Sequence, residues 1–167
     1  MRALLLLALA SSGCVLDSSH VSTELIAVCT DDVPLVFERT GADESVARVE
    51  VTKVGATVDD PDARATLATV SLEVLNGVDD LSFAQAMTLD VLAPGSGLPD
   101  ARVVDAPVAG LDRVSAHGDD QIDLVEYLTS DSLTIRIALE GPSPGDFALM
   151  LDACLDVDGL VVEDDDE

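Results

Sequence analysis

Tryptophan is absent from this chain of 167 residues, and phenylalanine and tyrosine together number four. A sequence so poor in flat side chains has no stacking platform for single-stranded nucleic acid. With no Trp and one Tyr, it is also nearly without the faces on which sugar rings usually rest. Basic residues are nearly as scarce, because one Lys and seven Arg stand against 33 Asp and Glu, for a formal net charge of −25. No nucleic acid is expected as a partner, since a polyanion is bound through Lys and Arg that release its counterions. The same charge excludes attraction to an anionic membrane surface. Histidine occurs only as His20 and His117, neither with a Cys or His at ligand spacing, so the sequence offers no zinc-type cluster. No cofactor fingerprint is present either, and no cofactor is expected apart from a calcium ion considered below.

What remains is aliphatic. Hydrophobic residues make up 48% of the chain, mostly Val, Leu, Ile and Ala, enough to offset the entropy of ordering and so to predict a folded domain in spite of the charge. The length suits one domain with a core of its own.

The N-terminus has a separate character. Met1-Arg2 precedes the apolar run 3–10 (ALLLLALA), which has the size of a signal-peptide core and falls far short of the ~20 residues that span a bilayer. Ser12, Gly13 and Cys14 follow, and this segment resembles the lipobox of bacterial lipoproteins, in which small residues precede a cysteine that is acylated and becomes the mature N-terminus. Ser11 stands where that family carries Leu or another branched aliphatic residue. The resemblance implies lipidation at Cys14 and a protein held to the membrane through an N-terminal lipid. The alternative is ordinary cleavage after the small pair Ala8 and Ala10, which leaves Cys14 a free thiol. Val15, rather than Asp, follows the cysteine, and by resemblance to enterobacterial sorting this implies the outer membrane.

Cysteine arithmetic bears on the same question. The three cysteines are Cys14, Cys29 and Cys154, an odd number that calls for an explanation in an exported chain. If Cys14 carries lipid, Cys29 and Cys154 are free to form a disulfide in an oxidising compartment. Otherwise they are two buried thiols behaving as small hydrophobes.

Downstream, the pattern is that of strands. Residues 15–21 are small and polar, as in a tether. Apolar runs at 24–30 and 34–38 are separated by the turn-like pair Asp31-Asp32. Strict alternation marks 47–53, 68–74 and 87–91 as half-buried strands. It is clearest in 132–140, where Leu133, Ile135, Ile137 and Leu139 share one face, and in 147–157, where Phe147, Leu149, Leu151, Ala153, Leu155 and Val157 do so. Asn76-Gly77 is a tight-turn pair. Pro94, Pro99 and Pro107 with Gly95 and Gly97 indicate a long irregular connection, and 121–128 reads equally as a strand or a helical turn. The expected architecture is all-β: an antiparallel two-sheet sandwich of about eight strands, immunoglobulin-like or similar. The expected organisation is a signal peptide at 1–13, a tether at 14–22, the sandwich domain at 23–160 and an acidic disordered tail at 161–167. Phase places Cys154 on the polar face of its strand beside Asp152 and Asp156, so a bridge to Cys29 requires either a surface cross-strand disulfide or a bulge.

Few segments suggest chemistry. Residues 141–145 (GPSPG) formally satisfy the G-x-S-x-G elbow of α/β-hydrolases, but Pro144 has no N–H to give an oxyanion hole and no helix pattern follows. They read as a turn. Acidic clusters are numerous, and loops that bring Asp119, Asp120 and Asp123 near Asp156 and Asp158 could supply the six to eight oxygens that calcium prefers. The function expected is a lipid-anchored module of the cell envelope that binds or scaffolds another envelope protein without catalysis. Its partner surface should be basic or cation-bridged. A calcium-dependent adhesion module and an envelope hydrolase with an unassigned carboxylate pair are the alternatives.

Overall fold

The computed structural model describes residues 26–52, 56–58, 60–108, 112–130, 132–142 and 144–162. The expected signal peptide with Cys14, the expected tether with His20, Ser143 and the acidic residues 163–167 lie outside the described residues. Ten strands and one helical turn occur in the order β1 (Ile26–Arg39), β2 (Glu44–Thr52), β3 (Ala56–Val58), β4 (Arg64–Asn76), β5 (Ala86–Leu92), β6 (Ala101–Pro107), β7 (Arg113–His117), α1 (Val125–Leu128), β8 (Ser132–Glu140), β9 (Phe147–Asp158) and β10 (Leu160–Val162). The antiparallel all-β expectation holds.

Hydrogen bonds join eight strands into one sheet in the order β6-β5-β8-β2-β1-β9-β4-β7, while β3 and β10 form a separate pair. The expected division into two separate sheets is not what these bonds describe. Two halves, β6-β5-β8-β2 and β1-β9-β4-β7, are continuous through a seam at which Glu38 pairs Val46 and Arg39 pairs Ser45. The edges of the sheet also approach each other, the Asp119 N–H just past β7 donating to the Val103 carbonyl of β6 at 2.8 Å. The result is nearly a barrel, in which closure protects edges that would otherwise be free to pair with other chains.

The core within this sheet is aliphatic, built from residues such as Leu35, Val70, Leu72, Met87, Leu89, Ile137, Leu139 and Leu149. Aromatic side chains gather at one end, with Phe37 and Phe147 stacked at 5.1 Å and Phe83 meeting Phe147 edge-on at 5.2 Å. Tyr127 is buried and donates its hydroxyl to the Pro99 carbonyl at 2.6 Å. With so few aromatic residues, the core uses all four.

Several expectations change in detail. Asp31-Asp32 is no turn, because β1 runs straight through it as a bulge between Thr30 and Val33. Asp32 takes a positive φ of 58°, a conformation that Asp tolerates better than most residues, and its N–H donates to the Asp152 carboxylate at 3.0 Å. Asn76-Gly77 makes no hairpin. It ends β4 and sends the chain to β5 in the other half, with Gly77 at φ 86° where a Cβ would lie 2.8 Å from the Phe147 Cα. The irregular connection after residue 92 is shorter than expected, since β6 begins at Ala101 and ends on Pro107. An edge strand tolerates that proline, which has no N–H, because the nitrogen at that position faces the open edge, where no ladder bond is lost. The 121–128 segment resolves into the single turn α1, and β10 carries strand structure to Val162, past the expected domain end at 160.

Candidate functional site

The two halves of the sheet present contrasting outer faces. On β2, β8, β5 and β6, the outward positions carry long charged side chains. Arg136 donates to Asp90 at 3.0 Å and to Glu44 at 2.8 Å. Arg102 clasps the other side of Asp90 at 2.9 and 3.4 Å, while Thr40 donates to the second Glu44 oxygen at 2.7 Å. The pair Val46 and Ala138 lies beneath this ladder, outside the main core, yet at only 3% and 1% exposure. Arg136 reaches across that pair to Glu44, so its stem covers them as long cationic side chains commonly do. Burial alone would raise the Asp90 carboxyl, but Arg102 and Arg136 outweigh it and hold the group below the usual Asp range. Glu44 is lowered as well, first through its bond from Thr40 and then through Arg136. Asp80 is lowered by Ser82. Thus each described carboxylate with a resolved shift moves toward the ionised form, opposite to the shift that a general acid needs.

The outer face of β1, β9, β4 and β7 mixes short side chains with fewer long ones, His117, Met150, Glu73 and Arg113 among them. Register aligns Cys29, Cys154, Thr69 and His117 in one row across the four strands. A second row holds Asp152, Ser71 and Ser115, and a third Pro34, Met150, Glu73 and Arg113. Cys29 and Cys154 are bridged, directly opposite each other, with Cα atoms 4.0 Å apart. Both expected routes to this bridge operate together: it is a surface cross-strand disulfide, and the bulge at Asp31-Asp32 shifts the alternation of β1 so that Cys29 is exposed while Leu35 and Phe37 are buried. A second bulge, at Ala68 of β4, lies opposite Cys154 and Leu155 of β9.

Asp152 ties this face together. It accepts the Asp32 N–H at 3.0 Å, the Ser71 hydroxyl at 3.3 Å and Arg113 at 2.8 Å, linking β1, β4 and β7 across β9. Arg113 also donates to Ser71 at 2.8 Å. Between these groups lies an open groove of about 400 Å³ lined by Thr69, Ser71, Arg113, Ser115, His117 and Cys154.

The calcium candidates are divided. Asp120, Asp156 and Asp158 line a second open groove of about 290 Å³, but Arg64 enters it and its guanidinium bonds the Asp120 carbonyl. Asp119 accepts the Gln121 N–H at 2.9 Å, and Asp123 accepts the N–H groups of Ala65 and Val125 at 3.1 and 3.0 Å, so both secure local backbone. Among the described residues no three His, Cys, Asp or Glu side chains are placed to hold one metal ion. The Asp156 to Gly159 segment lies at the end of β9 rather than in a helix-flanked loop. At residues 141–145 the glycine requirement is steric: Gly141, at φ 147°, packs so closely on the Phe83 carbonyl that a Cβ would collide with it. The Asp90 and Asp152 networks were invisible in the sequence as networks. The scarcity of arginine was the available signal, since Arg102, Arg113 and Arg136 on their strands each find a carboxylate in so acidic a chain, but register alone says which.

No family model matches the chain, and no curated protein matches it. Among solved structures it is similar to that of infectious bursal disease virus Gt strain, at 8% identity and a TM-score of 0.36, over 94% of this chain and 36% of that one. A second likeness is to a structure described as the basis for the promiscuous specificity of carbohydrate-binding modules from the β-sandwich superfamily, at 11% identity and a TM-score of 0.34, over 86% of this chain and 58% of that one. A third is to the Yersinia pseudotuberculosis-derived mitogen, at 16% identity and a TM-score of 0.25, over 74% of this chain and 89% of that one. The chain therefore spans less than two thirds of the length of the first two, and likenesses this distant assign it no function.

Proposed function

We propose that this protein is an exported, lipid-anchored module of the cell envelope that binds another protein without catalysis, using the outer face of β1, β9, β4 and β7. The Cys29–Cys154 bridge carries this reading. A disulfide on an exposed face belongs to an oxidising compartment, and it accounts for two of the three cysteines, so that acylation of Cys14, as the lipobox resemblance implies, accounts for the third. Val15 after that cysteine favours the outer membrane. Binding rather than catalysis is supported by the open grooves and by carboxylates held in the ionised state. In finer architecture we read the domain as a two-sheet sandwich whose corner is the β1–β2 seam, where a strand passes from one sheet to the other.

The test is the intact mass of the protein purified from its native envelope, measured before and after reduction with alkylation of the freed thiols. The expected result is a chain that begins at Cys14 with added acyl mass and takes up two alkyl groups only after reduction. A lipid-free chain beginning near Ser11 overturns the anchor.

A further inference from the structure

Among the described residues three large hydrophobic side chains are exposed, and two of them lie on the open face: Val36 of β1 at 64% and Leu75 of β4 at 44%. They flank Ala148 of β9, which pairs with Val36 on one side and with the bulged end of β4 on the other. Leu75 is the extra residue of that bulge, and neither it nor Val36 belongs to the core. Pro34 and Met150, one row away, extend the same apolar strip. Acidic groups rim it, with Glu38 next outward on β1, Glu73 on β4 and Asp146 before β9, all exposed. The nearest cations are already engaged, Arg113 by Asp152 and Glu73 and Arg39 by the Gly41 carbonyl. An apolar strip rimmed by carboxylates, of which Glu38 and Asp146 make no ion pair among the described residues while Glu73 shares Arg113 with Asp152, is the complement of one kind of surface.

We infer that Val36, Ala148 and Leu75 form the centre of a docking site for a basic protein, one that presents apolar side chains within a ring of Lys and Arg. This rests on the binding-module reading and names the chemistry of its partner. A second copy does not fit, because docking would bring two identical acidic rims together on chains of −25 each. An anionic bilayer is repelled for the same reason.

The probes are three short synthetic peptides, alternating Lys-Val, Lys-Ser and Glu-Val, titrated into the full chain at low salt with amide shifts mapped by NMR. Lys-Val is expected to bind and to shift the amides around Val36, Leu75 and Ala148, with Lys-Ser and Glu-Val each weaker by about tenfold or more. The double variant Val36→Thr with Leu75→Thr places β-branched, strand-forming side chains at both exposed positions. It is expected to lose about tenfold in Lys-Val affinity with Lys-Ser unchanged. Equal binding of Lys-Ser and Lys-Val, unchanged affinity in the variant, shifts confined to the Arg136 face or the β6 and β7 edges, or a dimer by sedimentation overturns the inference. Because the mapping uses the unaltered chain, the decision survives a variant that fails to fold. None of these results alters the mass measurement, so the anchor reading and the docking site fail separately.

Discussion

The two outer faces of the sheet solve one problem by opposite means. On β2, β8, β5 and β6, scarce arginines are laid over the strands and locked to Asp90 and Glu44, so that even Val46 and Ala138 are sealed from water. On β1, β9, β4 and β7, the strands are held by a covalent bridge and by Asp152, with short hydroxyl and aliphatic side chains between. Long side chains that satisfy one another leave nothing to offer a partner. A face secured by a disulfide remains low and accessible, and this difference is why the proposed binding surface is assigned to it.

The largest effect should come from unstapling the open face. Replacing both Cys29 and Cys154 with Ser removes a link between residues 125 apart, for which the chain-entropy model gives a loss of roughly 4–5 kcal/mol at most. Urea unfolding of the variant, against the oxidised and reduced parent, measures it. A loss under about 1 kcal/mol would mean that hydrogen bonding alone holds that face, and the contrast would be weaker than drawn.

Next is the closed face. Asp90→Asn leaves Arg102 without its carboxylate and Arg136 with Glu44 alone, and should cost about 1.5–3 kcal/mol, the range for hydrogen bonds to charged groups. Because the folded-state pKa of Asp90 is depressed, its contribution is present above the unfolded value of about 3.9 and is lost as pH falls through the folded value. The stability gap between parent and variant should therefore be constant from neutral pH down to about 5 and close below about 4. A gap that persists in strong acid would show that shape rather than charge is at work.

Asp152→Asn sharpens the comparison, since it is the open face's counterpart to Asp90. Its side chain is more exposed, at 32% against 13%, and the expected cost is smaller, about 0.5–1.5 kcal/mol. Smallest of all is the effect of calcium. With Arg64 already in the groove of Asp120, Asp156 and Asp158, millimolar Ca²⁺ should raise the melting temperature no further than an equal ionic strength of MgCl₂ does. A specific rise would restore the calcium-dependent reading.

Central strands were legible because their inner positions must be apolar at every second residue. Leu133, Ile137 and Leu139 of β8 and Phe147, Leu149 and Leu151 of β9 are buried as alternation requires. The edges were not. Neither β6 nor β7 stood out, since an edge strand is short and half-solvated, and Pro107 argued against one. Closure of the sheet depends on those same two strands, so the inner strands alone gave no sign that its edges approach each other. The bulge at Asp31-Asp32 carries turn chemistry, and only the presence of Asp152 opposite decides that the strand continues. The open face was half visible, because the phase of β9 already placed Cys154 outward. Its apolar strip was not, since the exposure of Leu75 depends on a bulge that no periodicity announces.

The position of the bridge also determines how the domain bears load. A pull on the N-terminal end of β1 meets Cys29 three residues after the first strand residue, Ile26. From there the force passes through a covalent bond into β9, which is held by β1 on one side and β4 on the other. Beyond Cys29, β1 cannot be peeled from its end one hydrogen bond at a time, so a domain towed by its leading segment would yield by shearing an interior strand.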